Sequence, residues 1–334
     1  MKSIAFFNNK GGVGKTTLVV NLAAYLSLEM GKKVLVIDAD PQCNATQAMF
    51  SDDFVDRRYA NKNNFTIYKI VQPLAAGKGY SASLFAERSE RFGVDVLIGD
   101  PRLALSEDVL ARDWSTAVSG DTRGLRTTLL FCELLGRCRS YDYVFFDVSP
   151  SLGAINRAVL VACDFFVSPM SVDIFSLRAL ENISKALESW SRQLTRGIQD
   201  NEEPDDLPIQ RYDWRLRFAG YVSQQYIAKR DAEGHARPVG AYEKIAKRIP
   251  DLIEEHFVGE GSSPLNKSDY ALGSIPTLHS IIPMAQNARS PVFAIGAKDG
   301  VVGSHFLKVR ELRETFDEIA KKLEYNIDIL TLFQ

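Results

Sequence analysis

The chain has 334 residues, of which 46% are hydrophobic and 25% charged, and this balance predicts a folded globular protein. Its net charge of −2 provides no overall basic excess, so any contact with nucleic acid must come from a local patch. No run approaches the roughly 20 apolar residues that span a bilayer, so we expect no membrane insertion. The four cysteines show no paired spacing, which predicts reduced thiols in a cytoplasmic protein. They are Cys43, Cys132, Cys138 and Cys163.

The first predicted elements form one βαβ unit. An apolar strand at residues 3–8 leads into a glycine-rich loop, a helix follows at 16–28, and a second apolar strand ends at residue 38. Further strands are predicted at 94–98, 143–147, 164–168 and 216–222, with helices at 125–138, 155–162 and 175–194. This alternation predicts an α/β fold with a doubly wound, mostly parallel sheet and helices on both faces.

Two polar stretches interrupt the alternation. They lie at residues 51–91 and 197–213, and we expect both to be surface insertions in a single domain that spans residues 1–334. A mixed-charge helix is predicted near the end of the chain, at residues 306–323. Its core-facing stripe is expected to consist of Leu307, Leu312, Phe316, Ile319 and Leu323.

The stretch NNKGGVGKTT, residues 8–17, matches a phosphate-binding loop except at its first glycine, where Asn9 stands. In such loops, backbone N–H groups converge on phosphate oxygens at the start of a helix. By this mechanism Lys15 holds the β- and γ-phosphates, the Thr16 hydroxyl binds Mg²⁺, and Thr17 caps the helix or contacts the α-phosphate. The alternative, a glycine-rich turn with two solvated lysines, fits less well because strand, loop and helix occur in the required order. The predicted nucleotide-binding residues of this loop are Lys10, Gly11, Gly12, Val13, Gly14, Lys15, Thr16 and Thr17.

Carboxylates follow two of the predicted strands. The stretch VIDADPQCNAT has Asp38 and Asp40 at the end of the second strand, and YDYVFFDVSPSLG has Asp147 at the end of a later one. The carboxyl ends of parallel strands face the ligand crevice, where such groups can orient water or support a metal ion. The alternative is structural: Asp38 and Asp40 could cap the turn before Pro41, and Asp147 could be a buried capping residue.

The pattern K-G-G-x-G-K-T at residues 10–16 resembles the deviant Walker A box of the ParA/MinD group of ATPases, and residues 38–46 are similar to the D-x-D-P-Q-x-N-A-T box of ParA proteins. The resemblance implies that Lys10 crosses a nucleotide-bridged dimer to the partner's phosphates, that Asp40 activates water and that Asp38 supports Mg²⁺. Residues 145–153 resemble the family's F-I-D-x-P-P-S-L-G, in which Asp147 is the Walker B carboxylate, except that Ser149 replaces the first proline. The predicted catalytic residues are therefore Lys10, Lys15 and Asp40, and the predicted metal ligands are Thr16, Asp38 and Asp147.

The resemblance extends in outline to the adenine. Residues 281–295 are similar to a late proline-containing segment of the family that is implied to line the base, which assigns Pro283 and Met284 to this role. The family's base-reading asparagine has no counterpart. Three residues lie near its position, namely Ser223, Gln224 and Gln225.

The implied function is that of a ParA-like ATPase in plasmid or chromosome partition. ATP and Mg²⁺ are the implied cofactors, and the ATP-bound homodimer is expected to bind DNA non-specifically, on the nucleoid, until a ParB-like partner stimulates hydrolysis. Two other functions stay open: the same ATPase could position a protein cargo, or the fold could serve a small-molecule phosphotransferase. A MinD-like membrane role is disfavoured because the ending YNIDILTLFQ contains no lysine or arginine.

A basic cluster at residues 229–248 is the expected site of DNA contact, because ParA proteins are implied to use basic residues in this half of the chain. Six basic residues stand against three acidic ones, a local charge of +3. A solvated helix face would have the same composition. The basic members are Lys229, Arg230, Arg237, Lys244, Lys247 and Arg248, and the acidic members are Asp231, Glu233 and Glu243.

Overall fold

The computed structural model describes residues 1–61, 64–75, 77–81, 83–209, 212–226, 228–230, 236–238, 244–258, 263–278 and 280–333. Its strands are β1 (Lys2–Phe6), β2 (Val34–Asp38), β3 (Glu87–Ser89), β4 (Val94–Leu97), β5 (Tyr143–Asp147), β6 (Phe165–Ser171), β7 (Arg217–Tyr226), β8 (Ala228–Arg230), β9 (Ala236–Pro238) and β10 (Ala271–Pro276). Eight of them form one sheet in the order β10-β7-β6-β1-β5-β2-β4-β3, and β8 pairs with β9 separately. Because the chain adds parallel strands on both sides of β1, the predicted doubly wound fold is confirmed.

The helices cover the sheet and connect its strands. They are α1 (Lys15–Leu28), α2 (Asn44–Met49), α3 (Asp52–Ala60), α4 (Tyr68–Ala75), α5 (Glu107–Ala117), α6 (Thr122–Thr128), α7 (Leu130–Gly136), α8 (Ala154–Ala162), α9 (Ile174–Gln199), α10 (Ile249–Ile253), α11 (Ile281–Ala288) and α12 (His305–Leu332). Among the described residues, none of the helices combines the length and apolarity that crossing a bilayer requires.

The central strands are parallel and buried on both faces, which explains their continuous apolar sequences. Within the eight-stranded sheet, as far as the structure describes it, β3 is the antiparallel strand and lies at the edge beside β4. Within the sheet, Asp147 of β5 is in register with Phe6 of β1 on one side and with Asp38 of β2 on the other. The loops that follow these three strands therefore start at one level, and this register assembles the candidate site.

The stripe predicted for the last helix is right at four positions and wrong at Leu307, which is 55% exposed. The buried members Leu312, Phe316, Ile319 and Leu323 are spaced by four, three and four residues, so they share one side of α12. Leu307 precedes Leu312 by five residues, and at 100° per residue it points about 140° away from the stripe.

Two other predictions need correction. The helix expected at residues 125–138 is interrupted at Leu129, where α6 ends and α7 begins. The polar stretch at residues 51–91 contains α3, α4 and β3, and Ile67 and Val71 within it are buried in the core. For the basic cluster at 229–248, residues 231–235 and 239–243 lie outside the described part, as do the side chains of Lys229, Arg230 and Arg237.

Candidate nucleotide-binding site

The glycine loop after β1 curves around the start of α1. Gly12 and Gly14 have φ angles of +73° and +72°, a left-handed conformation that side chains rarely adopt. At Gly14 a Cβ atom would also lie 2.0 Å from Oε1 of Gln224, so the loop has no space for a side chain there. Residues 10–17, the predicted nucleotide-binding set, all line one cavity of about 690 Å³.

Lys15 is buried at the inner end of this loop between two carboxylates. Its Nζ lies 3.0 Å from Oδ1 of Asp147 and 3.9 Å from Oδ2 of Asp40. The Thr16 hydroxyl donates a hydrogen bond of 2.7 Å to the other Asp147 oxygen. Burial raises the pKa of Asp40, against the opposing effects of the Gln42 N–H and of Lys15. Four residues that the sequence analysis assigned to phosphate, metal and water therefore lie within 4 Å of a neighbour in this set.

Asp38 lies deeper than the other carboxylates. Its Oδ2 accepts hydrogen bonds from the backbone N–H and the hydroxyl of Thr46, at 2.8 Å and 2.7 Å. Its Oδ1 is buried and has no hydrogen-bond partner among the described residues. Burial and the neighbouring Asp147 raise the pKa of Asp38 to about 7, although the bonds from Thr46 oppose this. Asp40 contributes to the cavity wall, whereas Asp38 stands behind it.

The donor set fits a magnesium ion. Three buried carboxylates, those of Asp38, Asp40 and Asp147, lie here, and in the described part of the chain Lys15 is the cation paired with the last two. A divalent cation would offset the remaining negative charge, and Mg²⁺ prefers carboxylate and hydroxyl oxygens such as those of Asp147 and Thr16. The unsatisfied Asp38 oxygen adds a further acceptor behind them.

Lys10 lies at the outer rim of the same loop. Its ammonium pairs with Asp173 of its own chain, and both side chains are 32% exposed. Asp173 is the N-cap of α9 and accepts from the N–H groups of Phe175 and Ser176, at 2.9 Å and 3.0 Å. Partial burial would raise the pKa of Asp173, but hydrogen bonds from Lys10 and Ser176 lower it. The helical pattern starting near residue 175 could have suggested an N-cap at Asp173, but it contained no sign of the contact with Lys10.

The loop after β5 closes over the glycine loop. Pro150 lines the cavity, and its Cγ lies 3.8 Å from the position of a Cβ on Gly11. The side-chain amide of Asn156 donates to the carbonyls of Ser149 and Ser151, at 2.7 Å and 2.6 Å. The Ser149 hydroxyl also bonds to Asn156, which a proline at this position could not do. Asn156 was not recognised in the sequence because its partners lie in the preceding turn.

The far end of the cavity is formed largely by α11. Ile282, Ala285 and Gln286 line it, and their spacing of three and four residues places them on one side of the helix. Pro283 and Met284 are absent from this wall and Pro283 is exposed, so the structure does not support their assignment to the base. Of the three residues near the missing asparagine, Gln224 is buried against Gly14 and its Nε2 has no partner among the described residues.

Comparisons with known proteins agree with this geometry. A family profile described as "AAA domain" matches residues 1–199. The chromosome-partitioning ATPase Soj of Thermus thermophilus is 28% identical over 68% of this chain and 76% of its own length. The sporulation initiation inhibitor protein Soj of Bacillus subtilis is 31% identical over 76% of this chain and 97% of its own length. The crystal structure of protein DIP2308 from Corynebacterium diphtheriae is 30% identical, covers 98% of this chain and 99% of its own, and superimposes with a TM-score of 0.73. With its deviant Walker A loop and this fold, the chain belongs to the ParA/MinD family of ATPases.

Proposed function

We propose that this protein is a partition ATPase whose ATP-bound homodimer binds DNA non-specifically and is switched off by partner-stimulated hydrolysis. The observation that carries this proposal is that two lysines of one loop have different surroundings. Lys15 is buried among the carboxylates of its own cavity, whereas Lys10 lies at the rim and pairs with Asp173. A second lysine at the rim of its own cavity, about one third exposed, is suited to reach the phosphates of another copy.

The buried residues account for nucleotide and metal. Lys15 would hold the β- and γ-phosphates, and Thr16 with Asp147 would hold Mg²⁺. The metal ion would supply positive charge against the phosphate oxygens. Asp40 is the better candidate to orient water because it lines the cavity, and Asp38 would support the metal site from behind.

The base is assigned to residues other than those first expected. Gln286 lines the far end of the cavity, and Gln224 has a buried amide nitrogen without a partner among the described residues. A buried amide donor left unpaired is costly, so a ligand acceptor near Gln224, beside Gly14 of the glycine loop, would be stabilising. We assign Gln286, which lines the cavity, to the base side in place of Pro283 and Met284.

Dimerisation requires Lys10 to exchange Asp173 for a partner's phosphate. Both side chains of the existing pair are about one third exposed, and such pairs contribute at most about 1 kcal/mol. A triphosphate bears several negative charges against the single charge of Asp173, so the exchange is favourable once nucleotide is bound. DNA binding by the dimer, with location on the nucleoid, and a ParB-like activator are proposed from family membership and from the +3 charge of residues 229–248.

The test is binding of the purified full-length chain to a fluorescent non-specific DNA duplex with ATPγS, with ADP and without nucleotide, across a salt series. We expect binding with ATPγS alone and affinity that falls steeply with salt. Lys15→Ala is the control that should remove the response. ATP-dependent dimers that bind no DNA would favour a protein cargo, and a chain that neither dimerises nor binds DNA would favour a phosphotransferase.

A further inference from the structure

Helix α8, which follows the loop after β5, has no N-terminal cap of its own. Its N-cap residue is Gly153, and Glu107 of α5 occupies the capping position instead. The Glu107 carboxylate accepts from the N–H of Ala154 and, at 3.1 Å, from that of Ile155. These are two of the N–H groups that a helix start leaves without partners, and a carboxylate there also interacts favourably with the helix dipole.

Gly153 makes this contact possible. A Cβ atom at residue 153 would lie 2.5 Å from Oε1 of Glu107, so a side chain there would displace the carboxylate. The φ angle of Gly153 is −73°, which other residues adopt readily. Glycine at position 153 therefore leaves space for the Glu107 carboxylate. The glycine of the family-like S-L-G sequence is required by a contact with another helix, α5.

The capped helix in turn holds the loop at the cavity. Asn156, in the first turn of α8, binds the carbonyls of Ser149 and Ser151 on either side of Pro150. Asn156 is only 1% exposed, so its bonds are protected from water. A contact chain thus runs from Glu107 through α8 and Asn156 to Pro150 in the cavity wall.

A second contact joins the same helices one residue further along. The Arg157 guanidinium lies 4.3 Å from the ring centre of Trp114 on α5 and 5.8 Å from that of Trp190 on α9. Burial lowers the pKa of Arg157 to about 10, against the effect of the nearby Glu107. Trp114 follows Glu107 by two helical turns, so α5 holds α8 at two points along one side. Any shift of α8 changes the surroundings of both indoles.

We infer that Glu107 is a positioning residue that holds Pro150 at the nucleotide cavity through α8, and that Trp114 and Trp190 sense the state of this loop through Arg157. The inference rests on the proposed ATPase function. It assigns to α5, a helix with no residue in the cavity wall, control over the loop next to the phosphates.

The experiment compares Glu107→Ala, Glu107→Gln and the control Asp108→Asn, which removes a charge from the exposed side of the same helical turn. Trp214→Phe serves as the background, so that emission comes from Trp114 and Trp190. We measure ATP affinity, kcat, KM, thermal unfolding, and the emission change on adding ATPγS with Mg²⁺.

In Glu107→Ala we expect kcat to fall roughly tenfold or more, because displacement of a loop by about 1 Å can cost up to a hundredfold. ATP affinity should change less than about twofold because Glu107 does not touch the cavity. The emission response should be lost. Glu107→Gln keeps one acceptor and should recover most of kcat and part of the response, and Asp108→Asn should behave as the parent.

Wild-type kcat and emission response in Glu107→Ala would overturn the inference. A second outcome would also overturn it: both Glu107 variants lose kcat and thermal stability equally but keep the wild-type emission response. Glu107 would then stabilise the fold without positioning the loop. A parent protein that binds no ATP would overturn the proposed function itself, and this outcome is visible before any variant is compared.

Discussion

The two lysines of the glycine loop are five residues apart and have opposite surroundings. Lys15 is 8% exposed and is held by Asp147 at 3.0 Å. Lys10 is 32% exposed at its side chain and pairs with Asp173 at the rim. Removing one member of a buried ion pair leaves an uncompensated charge and costs about 3–5 kcal/mol, whereas an exposed pair contributes about 0–1 kcal/mol. The inner lysine is therefore committed to its own chain, and the outer one can change partners.

The largest effect is expected for Lys15→Ala. Loss of a charged phosphate ligand should weaken ATP binding by roughly a hundredfold or more. The unpaired carboxylates should also lower the free energy of unfolding by about 3 kcal/mol. Titration calorimetry and thermal unfolding measure both quantities, with the exposed Lys33→Ala as the matched control. Near-normal ATP binding would place the phosphates away from the buried lysine.

Asp40→Ala, at the inner end of the cavity, should impair ATP hydrolysis without impairing ATP binding. Asp40 lines the cavity, and its contact with Lys15, at 3.9 Å, is longer than the one with Asp147. We therefore expect ATP binding and dimerisation to persist while kcat falls by about 10²–10⁴-fold. Single-turnover hydrolysis measures this, and Asp53→Ala on the exposed start of α3 is the control. A normal kcat in Asp40→Ala would mean that another group orients the attacking water.

At the rim, Lys10→Ala and Asp173→Ala should act in opposite directions. Without Lys10 the chain should bind ATP within a few-fold of normal but form no ATP-dependent dimer. Without Asp173 the lysine is released, and dimer affinity should rise by up to about fivefold, the equivalent of one exposed pair. Sedimentation velocity with ATPγS distinguishes the two. Normal dimers in Lys10→Ala would refute the proposed role of this lysine.

The smallest effect concerns Asp173→Asn, which keeps an N-cap side chain but removes the charge. The pKa of Asp173 in the fold lies below its ordinary value of 3.8, so its ionised form stabilises the fold above that pH. This contribution is lost as the pH falls through the lowered pKa. In thermal unfolding, the free energy of unfolding of the wild type should exceed that of Asp173→Asn by less than about 1 kcal/mol at pH 7. This difference should disappear below pH ~4. A constant gap at all pH values would mean that the charge contributes nothing.

Much of the inner site was predictable from the sequence. Strand β5 has the predicted bounds, and Lys15, Thr16 and Asp147 are in contact as a P-loop protein requires. The reason is that glycines, a lysine and a threonine occupy consecutive positions, and that apolar strands end directly at the carboxylates. Local order along the chain was enough to identify these residues.

The far end of the cavity could not be predicted in the same way. Pro283 and Met284 lie in the segment that resembles the family's adenine-lining region, but a helix presents only some of its residues to any one surface. Which side of α11 faces the cavity depends on how that helix packs. The same reason explains Leu307, which belongs to an apolar pattern but points away from the core.

The sequence by itself determined the family, the alternation of the central strands and helices, and the glycine-loop residues that line the cavity, because these depend on local patterns. Only the tertiary structure decided the pairing of Lys10 with Asp173, the cap that Glu107 provides for α8, and the stack of Arg157 with Trp114. The partners in these contacts lie 163, 48 and 43 positions apart. Such contacts exist only when packing brings distant segments together, and no local pattern records them.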